Sequence, residues 1–319
     1  MRTYLDFEKP VAELEGKIAE LRALADDDTS VSIEDEVRQL EEKSAKSLHD
    51  IYAKLTPWEK TQVARHPERP HFSGYVSRLF NEFVPLAGDR KFAEDYAIVG
   101  GLGWFRGTAM MVIGQEKGHD TESRLKHNFG MARPEGYRKA VRLMELADKF
   151  AVPLVSIVDT AGAYPGIGAE ERGQSEAIAR STDCCLALGV PHISLIIGEG
   201  GSGGAVAIAT SNKVLMMEHA IYTVASPEAS ASILWRDSSR AKDAATAMKV
   251  TAQHLQELGI IDEIIPEPVG GAHRGSEQAV DAAGDALARG FEELAELSPD
   301  ELRAVRREKY LQMGRTLPT

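Results

Sequence analysis

Hydrophobic positions near the start of the chain recur every three or four residues: Val11, Leu14, Ile18, Leu21 and Leu24, with charges between them. That period predicts an amphipathic helix. Asp26 to Ser32 breaks the pattern, and Ser32 with Asp35 resembles the capping box that starts a second helix. The second stripe is Ile33, Val37 and Leu40, then Leu48, Ile51 and Leu55. Two such helices have to bury their stripes, so they are expected to form an arm that packs on the main body, on a partner, or on both.

The texture then changes. Pro57 to Pro70 reads as an irregular connection rich in His, Arg and Pro. After Gly88-Asp89, the glycine-bounded runs Ala97-Ile-Val-Gly-Gly-Leu102 and Ala109-Met-Met-Val-Ile-Gly114 predict strands. Pro134-Glu135 opens a helix whose buried face is Tyr137, Val141, Met144 and Ala147. Alternation follows: a strand at Leu154–Val158, a glycine-rich loop from Asp159 to Gly173, a helix from Gln174 to Leu188, and a strand at His192–Ile197. Next come the glycine turn GEGGSGGA (Gly198 to Ala205), a small-residue helix, short strands at Val214–Met217 and Ile221–Val224, and a helix opened by Ser226-Pro227-Glu228. From Ser276 the chain is Ala/Glu/Arg-rich and helical. Strand, loop and helix in repetition predict an α/β fold with parallel strands.

Composition narrows the function more than the fold. The 319 residues are 43% hydrophobic and 27% charged, the balance of an ordinary globular chain. A net charge of −12 argues against a dedicated nucleic-acid surface. No apolar run is long enough to span a membrane, and MRTYLDFEKP is not a secretory signal. The two cysteines, Cys184 and Cys185, are adjacent, which suits neither a zinc site nor a disulfide framework. A reducing cytoplasmic setting is the expectation. One local basic cluster stands out: Lys117, Arg124, Lys126, His127, Arg133, Arg138 and Lys139. It reads either as a solvated face or as a patch for an anionic ligand.

Three chemistries fit the glycine turn. Gly198, Gly200 and Gly203 satisfy the dinucleotide spacing, with Glu218 about twenty residues on as a ribose-binding acid. However, a second strand follows Glu218 where a crossover helix would be needed. Gly200-Gly-Ser202-Gly-Gly204 satisfies the hydrolase elbow, with Asp262 and His273 downstream in the right order. A phosphate-binding P-loop is excluded, because no Lys-Ser/Thr pair follows the glycines. The third chemistry needs no side chain: glycine N–H groups at the start of a helix form a donor cluster that stabilises an oxygen gaining negative charge. Against all three stands a tight helix–strand contact that simply requires small residues.

The loop Asp159-Thr-Ala-Gly-Ala-Tyr-Pro-Gly166 ends the preceding strand. Ends of neighbouring parallel strands share one sheet edge, so two glycine-rich loops are expected to face each other across a pocket. Here the sequence becomes specific. DTAGAYPGIGAEERGQSEAIAR (159–180), IGEGGSGGA (197–205), ASPEASASILW (225–235) and IIPEPVGGAHR (264–274), with NFGMARPEGYRKAVRLM (128–144) and LDFEKPVAELEGKI (5–18), cover nearly the whole chain. In this order they resemble the alpha-subunit family of the bacterial acetyl-CoA carboxylase carboxyltransferase. The departures are small: that family often has Pro at 161 and Gly-Cys at 229–230, where this chain has Ala161 and Ala229-Ser230.

The resemblance implies a crotonase-like (ClpP/crotonase) spiral of ββα units with an N-terminal helical arm. It divides the chain into an arm at 1–34, a carboxyltransferase domain at 35–293 and a helical tail at 294–319. It implies half an enzyme, whose partner is a beta subunit bearing a zinc ribbon in an α2β2 assembly. This chain itself would hold no metal. A carboxyl group would move from carboxybiotin, on a separate biotin carboxyl carrier protein charged by biotin carboxylase, to acetyl-CoA, giving malonyl-CoA for fatty acid synthesis. The biotin ureido oxygen and the thioester oxygen both become anionic on the way. The resemblance gives the alpha-side oxyanion hole to Gly203 and Gly204, at the carboxybiotin end. Gly162, Ala163, Gly200, Gly201 and Ser202 would line the substrate, and Lys126 and Arg133 would meet CoA phosphates. Glu199, Glu171 and Arg172 would fix loops. Bulk at Gly204, such as Gly204→Val, would then abolish turnover and leave assembly intact. The alternative is a free-standing crotonase-like hydratase or decarboxylase acting on an acyl-CoA.

Overall fold

The computed structural model describes residues 2–27 and 34–315. In chain order its helices and strands are α1 (Lys9–Asp27), α2 (Glu34–Tyr52), α3 (Pro57–Ala64), α4 (Phe72–Leu79), β1 (Asn81–Pro85), β2 (Ile98–Phe105), β3 (Thr108–Gln115), α5 (Thr121–Lys126) and α6 (Pro134–Lys149). Then follow β4 (Leu154–Thr160), α7 (Ile167–Glu170), α8 (Gln174–Ala187), β5 (His192–Gly201), α9 (Ser202–Ala209), β6 (Lys213–Met217), β7 (Ile221–Thr223) and α10 (Pro227–Trp235). The chain closes with α11 (Ala241–Ala247), α12 (Ala252–Glu257), β8 (Glu263–Ile265), α13 (Ser276–Leu294) and α14 (Pro299–Gln312).

Among the described residues the strands form one mixed sheet in the order β1-β2-β3-β4-β5-β6-β8, with β7 pairing the far end of β5. The β1–β2 and β2–β3 pairs are antiparallel, while β3 through β6 and β8 run parallel. β4 and β5 are buried along their whole length, which explains why they read as unbroken apolar runs rather than alternating ones. α9 packs on β4 and β5, and α6 on β2 and β3, while α4 and α13 pack on each other and on the sheet.

The arm packs on the body. α1 and α2 lie against each other, with Val11, Ile18 and Val37 buried. At the base, buried Glu8 accepts from the Tyr52 hydroxyl at 3.2 Å and from the Arg274 guanidinium at 3.3 Å, and Arg274 also reaches Glu15 at 2.8 Å. Leu24, further along α1, is exposed. Ser32 and Ile33, expected at the start of the second helix, lie outside the described residues.

The predicted connection from Pro57 to Pro70 is instead half helical. Thr56 Oγ1 accepts from the Glu59 N–H, Glu59 returns to the Thr56 N–H, and Pro57 occupies the first turn of α3. That is a capping box with a favourable proline, and the letters TPWE carry it. α4, β1 and α5 were likewise absent from the pattern-based expectation. The loop from Asp159 also starts later than expected, because Asp159 and Thr160 complete β4, and one helical turn, α7, lies within it. Among the described residues no helix is long and apolar enough to cross a membrane.

Candidate active site

The stretch read as a glycine turn is mostly strand. β5 continues through Gly198-Glu-Gly-Gly201, pairing Gly200 with Thr160 of β4 and Glu199, Gly200 and Gly201 with β7. The chain then reverses at Ser202, whose φ is +53°, and α9 begins at once. No side chain caps α9, and the N–H groups of Gly203 and Gly204 fall in its first turn. Those are the donors a helix leaves unpaired in its first turn, at the positive end of its dipole.

Each glycine has its own reason. A Cβ on Gly198 would stand 2.6 Å from Asp159 Oδ1, one on Gly200 2.8 Å from the Tyr222 ring, and one on Gly201 2.3 Å from the Ala161 carbonyl oxygen. A Cβ on Gly204 would stand 2.7 Å from the Gly162 carbonyl carbon and 2.9 Å from Ala163 N. Real Cβ atoms do not approach that closely, so these positions serve packing. Gly203 differs: its nearest neighbour would be Ile178 at 3.4 Å, an ordinary contact. The two loops therefore do not face each other across a pocket. They touch at Gly201–Ala161 and Gly204–Gly162, so bulk at Gly204 would press on the loop contact within this chain as well as on the site. Thr160 Oγ1 holds the second loop, donating to the Gly162 carbonyl at 2.8 Å and accepting its N–H at 3.1 Å.

Beside the junction lies a cavity of about 790 Å³, bordered by Ser202, Gly203, Val206, Thr223 and Val224 and extending to Tyr222, Leu255 and Tyr310. Its lining is mainly apolar. Ser202 and Gly203 border it; Gly162, Ala163, Gly201 and Gly204 do not, and meet in the contact between the loops, while Gly200 packs against Tyr222.

A buried ionic chain holds the strand ends. Lys117 Nζ lies 2.8 Å from Asp159 Oδ1 at the end of β4 and 2.8 Å from Glu199 Oε2 in β5. Glu199 also meets Arg65 Nε at 2.6 Å, and Arg65 continues to Glu228 at the start of α10, again at 2.6 Å. His71 Nδ1 is 3.2 Å from Asp159 Oδ2. Burial alone would raise both carboxylates. The Lys117 ammonium and His71 instead hold Asp159 far below its usual range, and Lys117 with Arg65 holds Glu199 down. Burial would lower Lys117, but the two carboxylates keep its pKa above the ordinary value. Arg65 ends α3, within the segment read as irregular, where the α3 capping box was the available signal; His71 stands just beyond that segment, at the start of α4.

Glu199 thus fixes loops, as expected. Arg172 does so too, pairing with Glu135 and lying 4.7 Å from the centroid of the Phe92 ring. The basic cluster does not form one patch. Lys117 is consumed in the ionic chain, and buried Lys139 pairs with Glu94. Arg138 donates to the Arg172 carbonyl, and His127 Nδ1 lies 2.5 Å from the Tyr96 carbonyl. Lys126 rests over the Tyr96 ring at 4.6 Å, and Arg133 over Tyr164, on the Asp159 loop, at 4.6 Å.

The dinucleotide and hydrolase chemistries fail on geometry. Asp262 accepts from Val214 N and pairs with Lys309. His273 stacks on His66 at 3.8 Å, and burial next to that ring pushes it down to about 3, so neither it nor Asp262 serves Ser202. Glu218 accepts from Glu267 N, a structural bond at the end of β8. No group of three or more His, Cys, Asp or Glu side chains suited to a metal occurs among the described residues.

Residues 4–314 match the family model described as acetyl co-enzyme A carboxylase carboxyltransferase-like. An acetyl-coenzyme A carboxylase carboxyl transferase subunit alpha from Methylobacterium nodulans is 67% identical over 317 residues, covering 99% of this chain and all of that one. One from Beijerinckia indica is 66% identical with the same coverage. Among solved structures, transcarboxylase 12S with methylmalonyl-coenzyme A and methylmalonic acid bound aligns at a TM-score of 0.58 and 16% identity, over 71% of this chain and 42% of that one. A Pseudomonas malonate decarboxylase hetero-tetramer in complex with coenzyme A aligns at 0.54 and 16% identity, over 68% of this chain and 88% of that one. Those likenesses show the fold to be the crotonase-like one expected from the sequence. With a match from residue 4 to 314 and full-length relatives at two-thirds identity, the chain belongs to the acetyl-CoA carboxylase carboxyltransferase alpha-subunit family.

Proposed function

We propose that this chain is the alpha half of a cytoplasmic acetyl-CoA carboxyltransferase and works with a zinc-bearing beta subunit in an α2β2 assembly. The carboxyl group comes from biotin on a carrier protein, charged by a biotin carboxylase in the larger complex, and the product is malonyl-CoA. The observation that carries this reading is the first-turn N–H pair of Gly203 and Gly204 at the uncapped head of α9, beside a cavity that Gly203 borders. Two aimed donors in a water-poor site stabilise an oxygen that becomes anionic during transfer. Carboxybiotin, when bound, would supply the carboxyl group; the residues present fit its bicyclic head, since the cavity wall is apolar and the uncapped first turn of α9 stands beside it. Gly162 and Ala163 set the height of α9 through the contact with Gly204. Exposed Val224, Ile233 and Leu234, near the mouth and on α10, favour a covered, two-chain enzyme over a free-standing hydratase or decarboxylase.

Gly203→Val tests the placement of the hole: the N–H stays and a Cβ there meets only Ile178, but the added bulk stands at the residue that borders the cavity, in the way of an oxygen approaching the donors. With the beta subunit, kcat is expected to fall at least ~10-fold, with assembly and melting temperature unchanged; wild-type kcat would contradict the assignment. Lys126 and Arg133 carry no acidic partner among the described residues and are proposed to meet CoA phosphates. Reversing both charges is expected to raise the acetyl-CoA KM several-fold, with kcat preserved and the effect shrinking as salt rises. An unchanged KM would remove them from the site.

A further inference from the structure

Gln115 is the last residue of β3 and is fully buried. Its Oε1 accepts from the Asp159 N–H at 3.1 Å, and its Nε2 donates to the Gly204 carbonyl at 3.0 Å. A backbone N–H only donates and a carbonyl only accepts, so the orientation of this amide is fixed by its partners. The β4–β5 register is irregular between Val158 and Thr160, and Asp159 sits in that gap. One side chain therefore ties the irregular end of β4 to the first turn of α9. The glycine contacts around it are van der Waals contacts only; they limit how close α9 comes to the Asp159 loop without fixing its tilt.

We infer that Gln115 is a positioning residue for transfer: its amide sets the aim of the Gly203 and Gly204 N–H groups by holding the carbonyl of Gly204 and the end of β4 at a fixed separation. This rests on the reading of those two N–H groups as an oxyanion hole. Gln115 touches no reacting atom in this account, and its effect falls on turnover rather than on substrate affinity.

Two variants in the reconstituted alpha–beta complex test it. Gln115→Met keeps length and packing but loses both bonds. Its kcat is expected to fall ~10- to 100-fold, as misplacement of a catalytic group by about an ångström does, with acetyl-CoA KM within about twofold of wild type. Gln115→Glu adds a chemical signature. As a neutral acid it offers one O–H donor and one carbonyl acceptor, the pattern of the amide; ionised, it has only acceptors and repels the Gly204 carbonyl. Burial raises such a carboxyl, so its kcat relative to wild type is expected to rise about tenfold or more from pH 9 to pH 6, whereas Gln115→Met stays flat. A purely structural role predicts no such recovery on acidification. Wild-type kcat in both Gln115 variants, with Gly203→Val impaired, would overturn the positioning role and leave the hole standing. Wild-type kcat in Gly203→Val as well would show that transfer does not use the space at Gly203, and would overturn the placement of the hole on which this role rests.

Discussion

Gly204→Ala is expected to damage fold and turnover together. Its Cβ would lie 2.7 Å from the Gly162 carbonyl carbon and 2.9 Å from both Ala163 N and the Gly162 oxygen, all backbone atoms that cannot rotate away. The two loops must part or α9 must tilt. Overpacking of this kind costs about 1–3 kcal/mol, and the shift also moves the N–H pair, so turnover in the reconstituted enzyme should drop on the order of 100-fold. Differential scanning calorimetry and steady-state kinetics on one preparation check both halves. A stable, inactive Gly204→Ala would show that the loop contact is loose and that the glycine serves the ligand alone. Gly203→Val, by contrast, is expected to leave the melting temperature untouched. The pair thus separates the packing glycine from the ligand-facing one.

Lys117→Met is expected to be the most destabilising single change in the ionic chain. It removes the ammonium shared by Asp159 and Glu199, leaving two buried carboxylates with His71 and Arg65 as charged or titratable partners and the Glu199 N–H donating to Asp159 Oδ1 at 3.0 Å. Breaking a buried ion pair by deleting one member costs about 3–5 kcal/mol. The pH dependence follows from the direction of the shifts. Asp159 and Glu199 are held below their unfolded values, so their contribution is fully present above about pH 4 and is lost as pH falls through their lower folded values. Without Lys117 those folded values rise and the loss begins sooner. The acid unfolding midpoint, followed by circular dichroism, should therefore move to higher pH in Lys117→Met. At the alkaline end, the wild-type contribution of Lys117 is present below its unfolded value, about 10.4, and is lost as pH rises through its higher folded value. An unchanged acid midpoint would mean that water, not Lys117, compensates these carboxylates.

Much of this architecture is legible in the amino-acid order, for identifiable reasons. β4 and β5 are buried on both faces and so are spelled as uninterrupted apolar runs. α6 and α10 announce themselves through a first-turn proline, and α10 through Ser226, whose side chain accepts from Ala229 N. Helix α3 was just as legible through Thr56 and Glu59, but the density of Pro, His and Arg around it obscured the capping box. β1 was not, since an edge strand with an exposed, irregularly registered sequence such as Asn81–Pro85 has no periodic signature.

The site divides the same way. That GEGGSGGA lies between a strand and a helix follows from its flanks. That Gly201 and Gly204 exist for Ala161 and Gly162, while Gly203 alone is free, depends on contacts between segments about forty residues apart, which no local pattern encodes. Lys117 looked like a member of a surface cluster because sequence shows charge but not burial. Gln115 carried no signal at all: a lone amide at a strand end becomes meaningful only once Asp159 N and Gly204 O are seen on either side of it.

The most direct test of the whole account is the reverse reaction, the loss of malonyl-CoA dependent on a biotin analogue, measured for this chain alone and together with a zinc-ribbon beta subunit. Turnover is expected only for the pair, with none from the chain by itself. Turnover by the isolated chain would contradict it and identify a free-standing acyl-CoA enzyme.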